Sequence, residues 1–397
     1  MSPSILQLQS LGIQDLYLTN KPEINLFKYS YYRYGNFAAQ TVKLPMSEIA
    51  AFGRKSTCII PRKGHLLSKL YLHIKLPELT PVSGYLSWCD TIGYAIFSDP
   101  IELEIGGVVV DRIYPRFEDI YDEYTHNTNQ QDGKNLMILK SDNYVSTIYN
   151  ASKPNNLIIP LSFWFTKDYK MSLPLINISR QDIKVNFKFS EFSKCINYDG
   201  PDPLESSILD SEVIAEYIYV DDQIAEQMLK QKFEYIIDQT QYNGDDFITA
   251  NSSTFNTDIK FNHPVKELYF GCVTSENISN NNHYVYSGSG GDPIISQASL
   301  LLDGKQRFEF FDESIYRLKY ALDVHSVVPT KYIYIIPFAI KPEHIQPTGS
   351  INMSTFNDIT LSLKLRQNNP DCYLFVFAKS YNVVTISDGL LKIEFAS

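Results

Sequence analysis

Tryptophan is nearly missing from this 397-residue chain, which has 2 Trp against 28 Tyr and 23 Phe. An aromatic set of that kind suits β-rich packing. Cysteine is sparse and scattered. Cys58, Cys89, Cys195, Cys272 and Cys372 form no CxxC pair and have no clustered His partners. Zinc sites need close-spaced ligands, so these five read as reduced, buried, small apolar residues of a chain made in a reducing compartment. The seven histidines show no HExxH or other paired-ligand spacing, and neither a metal nor a cofactor is expected. Long hydrophobic runs are also missing: the strongest, residues 332–340, contains Pro337 and is too short to span a bilayer. Residues 1–19 lack the basic region and unbroken apolar core of a secretory signal. A soluble protein, intracellular when made, is therefore expected, and the sequons at Asn150 and Asn277 are read as coincidences. Positive charge is in deficit, with a formal net charge of -10, so direct nucleic-acid binding is not expected.

What is present is a globular composition, 44% hydrophobic and 20% charged, in a chain longer than one core usually supports. Two domains are the first expectation, and an internal repeat supplies them. Leu70-Tyr71 in SKLYLHIKL matches Leu268-Tyr269 in KELYFGCV at an offset of 198, and Gly106 matches Gly304 at the same offset. An acidic-aromatic helix start follows each glycine, FEDIYDEY at 117–124 and FDESIYRLKY at 311–320. Each then leads to a proline-marked aromatic strand, residues 158–167 and 333–342. NISRQDIKVNFKF at 177–189 and NMSTFNDITLSLKL at 352–365 complete the series at an offset of 175 or 176, so the first copy carries about twenty extra residues, read as loop.

Both copies read as β. Ile183, Val185, Phe187 and Phe189 alternate with polar residues, as do Leu70, Leu72, Ile74 and Leu76, which is the period of a strand with one buried face. Gly106-Gly107 and Asp303-Gly304 lie between apolar runs, where a two-residue hairpin turn needs positive φ. Short helices are predicted near residues 85–97, 117–125 and 313–322, and long loops at 199–209, 242–253 and 275–292. The pattern predicts an all-β chain of two tandem antiparallel sandwiches joined near residues 221–231.

Candidate chemistry is thin. Carboxylate pairs such as Asp221-Asp222 and Glu118-Asp119 could serve glycoside hydrolysis on a β-sandwich, but neighbours on a strand face opposite ways, so Asp221-Asp222 reads as a solvated strand end. SGSGGD at 287–292 lacks the Gly-Lys-Ser/Thr of a phosphate loop and reads as a flexible loop. Arg54-Lys55 and Arg62-Lys63 bracket a strand at residues 56–60, either as a charge-protected edge or as a face turned to acidic protein or anionic lipid. Pro342, Pro347 and Gly349 make KPEHIQPTGS a rigid turn whose Glu343 and His344 are candidates to fix an interface between subunits.

Along nearly the whole chain, in order, these segments resemble the double jelly-roll major capsid proteins of nucleocytoplasmic large DNA viruses. NKPEINLFKYSYYRYGNFA at 20–38, with Phe27, Arg33, Asn36 and Phe37, looks like the stretch before the family's first strand. FGRKSTCIIPRKGHLLSKLYLHIKLP at 52–77 carries its Pro-Arg-x-Gly-x-Leu-Leu pattern in Pro61, Arg62 and Gly64. FNHPVKELYF includes Pro264, and KPEHIQPTGSINMS at 341–354 carries Pro342, Glu343, His344, Gln346, Pro347 and Gly349, with Thr348 where the family often has Ser. The resemblance implies two tandem eight-stranded jelly rolls with short helices in loops: an arm at 1–20, then domains at 21–222 and 223–397. It further implies a homotrimer whose six similar domains form a pseudo-hexagonal block, trimer-trimer contacts tiling an icosahedral shell, and no enzymatic activity. Expected partners are other copies of the chain, minor capsid proteins and a membrane beneath the shell. The expected place is the virion capsid, assembled in host cytoplasm. A minor or vertex paralogue, a transient assembly scaffold, and, more remotely, a carbohydrate-active sandwich enzyme are the alternatives.

Overall fold

The computed structural model describes residues 2–81, 84–141, 144–288, 290–325 and 327–395. It divides into two compact units, Met1–Asn36 and Phe37–Ser397. The first contains two short helices, Pro3–Gln9 and Ile13–Thr19, neither of which buries a residue. Among the described residues no helix is long and apolar enough to cross a membrane.

The second unit is built on strands β1 Phe37–Pro45, β2 Lys55–Ile59, β3 Leu66–Leu76, β4 Ile101–Ile105, β5 Val108–Ile113, β6 Asn155–Pro160, β7 Ile183–Lys188 and β8 Asp210–Val220. A second series follows: β9 Phe233–Ile248, β10 Thr254–Asp258, β11 Pro264–Thr274, β12 Ile295–Leu302, β13 Lys305–Asp312, β14 Ile333–Pro337, β15 Ile359–Leu365 and β16 Cys372–Ser387. The first eight form sheets ordered β1-β8-β3-β6 and β2-β7-β4-β5. The second eight repeat this as β9-β16-β11-β14 and β10-β15-β12-β13, with the short strands Ile351–Asn352 and Leu390–Ile393 added to β11 and β16. All pairings are antiparallel, so each half is an eight-stranded jelly roll.

The duplication extends to the irregularities. Between β8 and β3, Glu216 faces Lys69 and Tyr217 faces Leu67, so Ser68 is skipped. Between β16 and β11, Lys379 faces Glu267 and Ser380 faces Val265, so Lys266 is skipped. A bulge bends its strand locally, and here both sandwiches bend at the same place. The hairpin turns agree as well, with φ of +62° and +85° at Gly106 and Gly107 and of +47° and +73° at Asp303 and Gly304. The sequence match of Gly106 to Gly304 is one residue out of register, because the ladders pair Ile105 with Val108 and Leu302 with Lys305 and so align Gly107 with Gly304.

Other details depart from the periodicity reading. The twenty extra residues of the first copy are largely helical, Thr128–Met137 and Tyr144–Ala151. The predicted loop at 242–253 begins inside β9, which runs on to Ile248 across a bulge between Tyr242 and Asp245. The predicted aromatic strand at 158–167 stops at Pro160 and turns into a short 3-10 helix at Trp164–Thr166. Asp221-Asp222 is a helix start rather than a strand end: Asp221 accepts from the amide of Asp222 at 2.8 Å and caps the helix Asp222–Lys230. In SGSGGD, Ser289 lies outside the described residues.

All five cysteines are free and buried. Gly304→Ala places a Cβ in the left-handed region with open space around it. The expected cost is therefore backbone strain alone, about 1 kcal/mol, read as a lower urea midpoint with an unchanged slope.

Candidate functional site

The helix after β5, α1 Pro115–Thr125, has Pro at its first turn, where its missing N–H costs nothing. Its sequence PRFEDIYDEYT would suit a solvated surface on one face, yet Glu118, Asp119, Asp122 and Glu123 are all buried together with Phe117, Ile120 and Tyr124. The reason is its position in the seam between the sandwiches. Tyr124 donates to the carbonyl of Ile333 in β14 at 2.7 Å, and Phe117 packs edge-on to Tyr269 of β11 at 5.1 Å. Asp119 accepts from Lys331 at 2.7 Å on the side of the second sandwich and from Lys140 at 2.9 Å on the side of the first. Glu123 accepts from the Thr330 amide at 3.0 Å and hydroxyl at 2.7 Å. Asp122 binds Lys134 at 2.6 Å and Tyr94 at 2.7 Å, so the inserted segment after α1 supplies its cations.

Further ion pairs cross the seam: Arg116 to Asp245 at 2.6 Å and Lys167 to Asp238 at 2.6 Å. Burial alone would raise the Asp119 carboxyl, but Lys331 and Lys140 pull it down to about 2. Lys379 has its amine over the Tyr121 ring at 3.6 Å, and burial together with nearby Lys167 holds it well below the ordinary lysine range. A cleft of about 420 Å³ opens here, bordered by Asp111, Glu118, Asp238 and Lys379. Asp238 pairs there with Lys167 and Asp122 with Lys134, while Asp111 accepts from the backbone amides of Trp164 and Arg112.

His325, 6% exposed, lies at the edge of the same seam. Its Nε2 is 2.8 Å from Glu267 and its Nδ1 is 2.6 Å from Glu343, and its ring is tilted against Tyr124. Burial lowers its pKa, but the hydrogen bonds its ring donates to the two carboxylates outweigh burial and raise it to about 9.

The residues singled out by sequence fall into separate places. Phe27, Arg33 and Asn36 are exposed in the first unit, and Phe37 opens β1 opposite Val220. Pro61, Arg62 and Gly64 form one cluster: Pro61 accepts from the Tyr217 hydroxyl at 2.9 Å, and Arg62 donates to the carbonyls of Ile178, at 2.7 Å, and Gln181. A Cβ on Gly64 would meet Cβ of Tyr217 at 2.8 Å, so backbone and strand meet there without room for a side chain. Pro264 opens β11 opposite Asn352. Pro342 is buried and accepts from the Lys266 amine at 2.6 Å, while Glu343 holds His325. His344, Gln346 and Pro347 remain exposed, and Gly349 has a φ of +137° beside the Phe338 carbonyl. Glu343 thus uses its carboxylate inside the chain, although 39% of that side chain is still exposed. The seam residues Glu123, Lys331 and His325 were not singled out, and Asp119 drew notice only as half of an adjacent carboxylate pair. For the acidic residues the signal was a carboxylate run on a helix whose Phe117, Ile120, Tyr121 and Tyr124 share one face; Lys331 and His325 carried none.

Family models complete the assignment. Residues 25–221 match the model described as "Major capsid protein N-terminus", and residues 225–391 match that described as "Large eukaryotic DNA virus major capsid protein". The chain belongs to this capsid protein family. A major capsid protein of Pyramimonas orientalis virus is 28% identical, with 98% of each chain covered, and that of Paramecium bursaria Chlorella virus 1 is 25% identical over the full length of both. Among solved structures, the PBCV-1 virus capsid superposes with a TM-score of 0.81 at 22% identity, covering 94% of this chain and 100% of that one. The Faustovirus major capsid protein gives 0.76 at 12% identity, covering 97% and 96%. Membership makes the chain a structural component of a virion capsid, a family that builds its shell by self-association. Within this capsid fold the seam is what joins the two jelly rolls.

The His325 pairing sets a pH dependence. The folded pKa is raised above the unfolded value near 6.5, so the stabilisation is fully present below about pH 6.5 and is lost as pH rises through about 9. Urea titrations should therefore show stability falling by on the order of 1 to 3 kcal/mol across that window. His325→Gln should start lower at pH 6 and lose most of that slope; an unaltered slope would remove His325 as its source.

Proposed function

We propose that the chain is a major capsid protein whose homotrimers form pseudo-hexagonal blocks that tile an icosahedral shell. The supporting observation is that both halves repeat one strand order and one bulge position across a joint of buried ion pairs. Three copies of such a rigid pair present six similar domains, and a closed threefold ring then fits hexagonal packing. On this reading the working divisions are an arm at 1–20 and jelly rolls at 21–222 and 223–397. Assembly takes place in host cytoplasm without catalysis by the chain, and trimer-trimer contacts are individually weak and polar. The exposed motif residues Phe27, Arg33, Asn36, His344, Gln346 and Pro347 serve contacts to other copies or to minor capsid proteins. Pro61, Arg62, Gly64, Pro264 and Gly349 hold the loops that present such contacts.

The arm exposes Leu8, Ile13, Tyr17 and Leu18, each at least 75% accessible. Apolar side chains so placed suit minor capsid proteins or a membrane beneath the shell.

Light scattering of the purified chain should give three times the monomer mass, and counting chains per mature particle should give the copy number of the principal shell protein. A low count would instead assign a minor, vertex or scaffold role. Deleting residues 1–19 should leave the trimer intact and impair shell assembly, and normal assembly of the truncated chain would remove the role given to the arm.

A further inference from the structure

The joint inside one chain is a template for the joint between chains. In the seam, Gln239 of β9 donates its Nε2 to the carbonyl of Val110 at 2.8 Å while its Oε1 accepts from Asn382 at 2.8 Å. Val110 is the residue that the β4-β5 ladder skips, since Leu103 pairs with Asp111 and Glu104 with Val109. A skipped residue turns its backbone groups out of the ladder, which leaves its carbonyl available to a neighbour.

The duplicated register names the counterparts. Ala215 pairs with Leu70 and Val42 in the first sandwich, and Ala378 pairs with Leu268 and Gln241 in the second. Two residues back along β1 and β9, Gln40 therefore occupies the place of Gln239. Four residues on along β8 and β16, Tyr219 occupies the place of Asn382. The same residue type recurs in the same pose: Gln40 accepts from the Tyr219 hydroxyl through Oε1 at 3.0 Å, and its Nε2 has no partner among the described residues. In the second hairpin Leu300 pairs with Phe308 and Leu301 with Gln306, so Arg307 is the skipped residue that corresponds to Val110.

Exposure agrees with register. Val110 and Asp111 are buried in the seam, whereas six of the eight residues of β13 are exposed. The first five residues of β1, from Phe37 to Thr41, are exposed on both faces. The corresponding stretch of β9, Ile236 to Thr240, includes Ile237, fully buried, and Gln239, which reaches Val110. The two strands left bare are those whose equivalents make the internal joint.

We propose that β13 of one copy docks against β1 of a second copy of this chain, with Gln40 donating its free amide hydrogen to the Arg307 carbonyl across the contact. The contact is head-to-tail, so it must close into a ring, and this rests on the trimer reading above. The ring alternates internal and intermolecular versions of one joint.

The test uses the full chain with Gln40→Cys and Arg307→Cys together, since the five native cysteines are buried and give little background. Mild oxidation should yield a covalent ladder ending at three chains on a non-reducing gel, and neither single variant should do so. Gln40→Ala, at an exposed position, should keep the monomer's circular dichroism and weaken association roughly tenfold, as for loss of one interfacial hydrogen bond. A wild-type trimer whose double variant gives no ladder, and whose Gln40→Ala variant associates normally, overturns this contact and leaves the trimer reading standing. A wild-type chain that is monomeric throughout overturns both.

Discussion

The two sandwiches act as one body because an acidic helix is buried between them with its charges answered from both sides. Removing a carboxylate from water costs several kcal/mol, and Coulomb attraction returns that only where partners are close and well aligned. Asp119 meets the condition with one lysine from each sandwich, Lys331 and Lys140, both within 2.9 Å. Apolar residues could hold the sandwiches together at several relative angles. A set of paired charges holds them at one, because any slip strands a buried ion. For a shell protein that angle is the property that decides how copies tile.

Duplication gave the halves one topology without giving them one surface. In β3 the inward Leu70, Leu72 and Ile74 are buried, while Tyr71 and His73 on the other face are half-buried. In β11 nearly every residue is buried: Leu268, Phe270 and Cys272 belong to the interior of the second sandwich, whereas Tyr269 and Val273 pack into the seam. The first copy's extra helical segment follows the same logic, since it brings Lys134 and Lys140 to α1. The corresponding region of the second copy is shorter and reaches α1 through Thr330 and Lys331 just before β14.

Legibility in the sequence followed the range of the interaction responsible. Alternation in Ile183, Val185 and Phe187, and turn chemistry at Gly106-Gly107 and Asp303-Gly304, depend on neighbours a few residues away, and both were readable. The run of β9 through Asn243-Gly244 was not, because a stretch rich in Asn, Asp and Ser reads as loop until pairing with β16 on either side holds it extended. The helices at Thr128–Met137 and Asp222–Lys230 were hidden by polar composition, although Asn127 and Asp221 stood ready as caps. Glu343 was noticed for its motif, but its partner His325 lies eighteen positions away, and Glu267 on the other side of the ring comes from a different strand.

The amino-acid order by itself determined that the chain is β, that it is duplicated, that its cysteines and histidines carry no ligand pattern, and which capsid family its motifs resemble. All of these are local patterns or comparisons of one stretch with another. Only the tertiary structure decided that four acidic residues of one helix would be interior, that a histidine would be held between two carboxylates, and that Gln40 and Gln239 occupy the same place with different company. Those facts depend on which surfaces meet when two sandwiches close on each other, and no spacing along the chain encodes that directly.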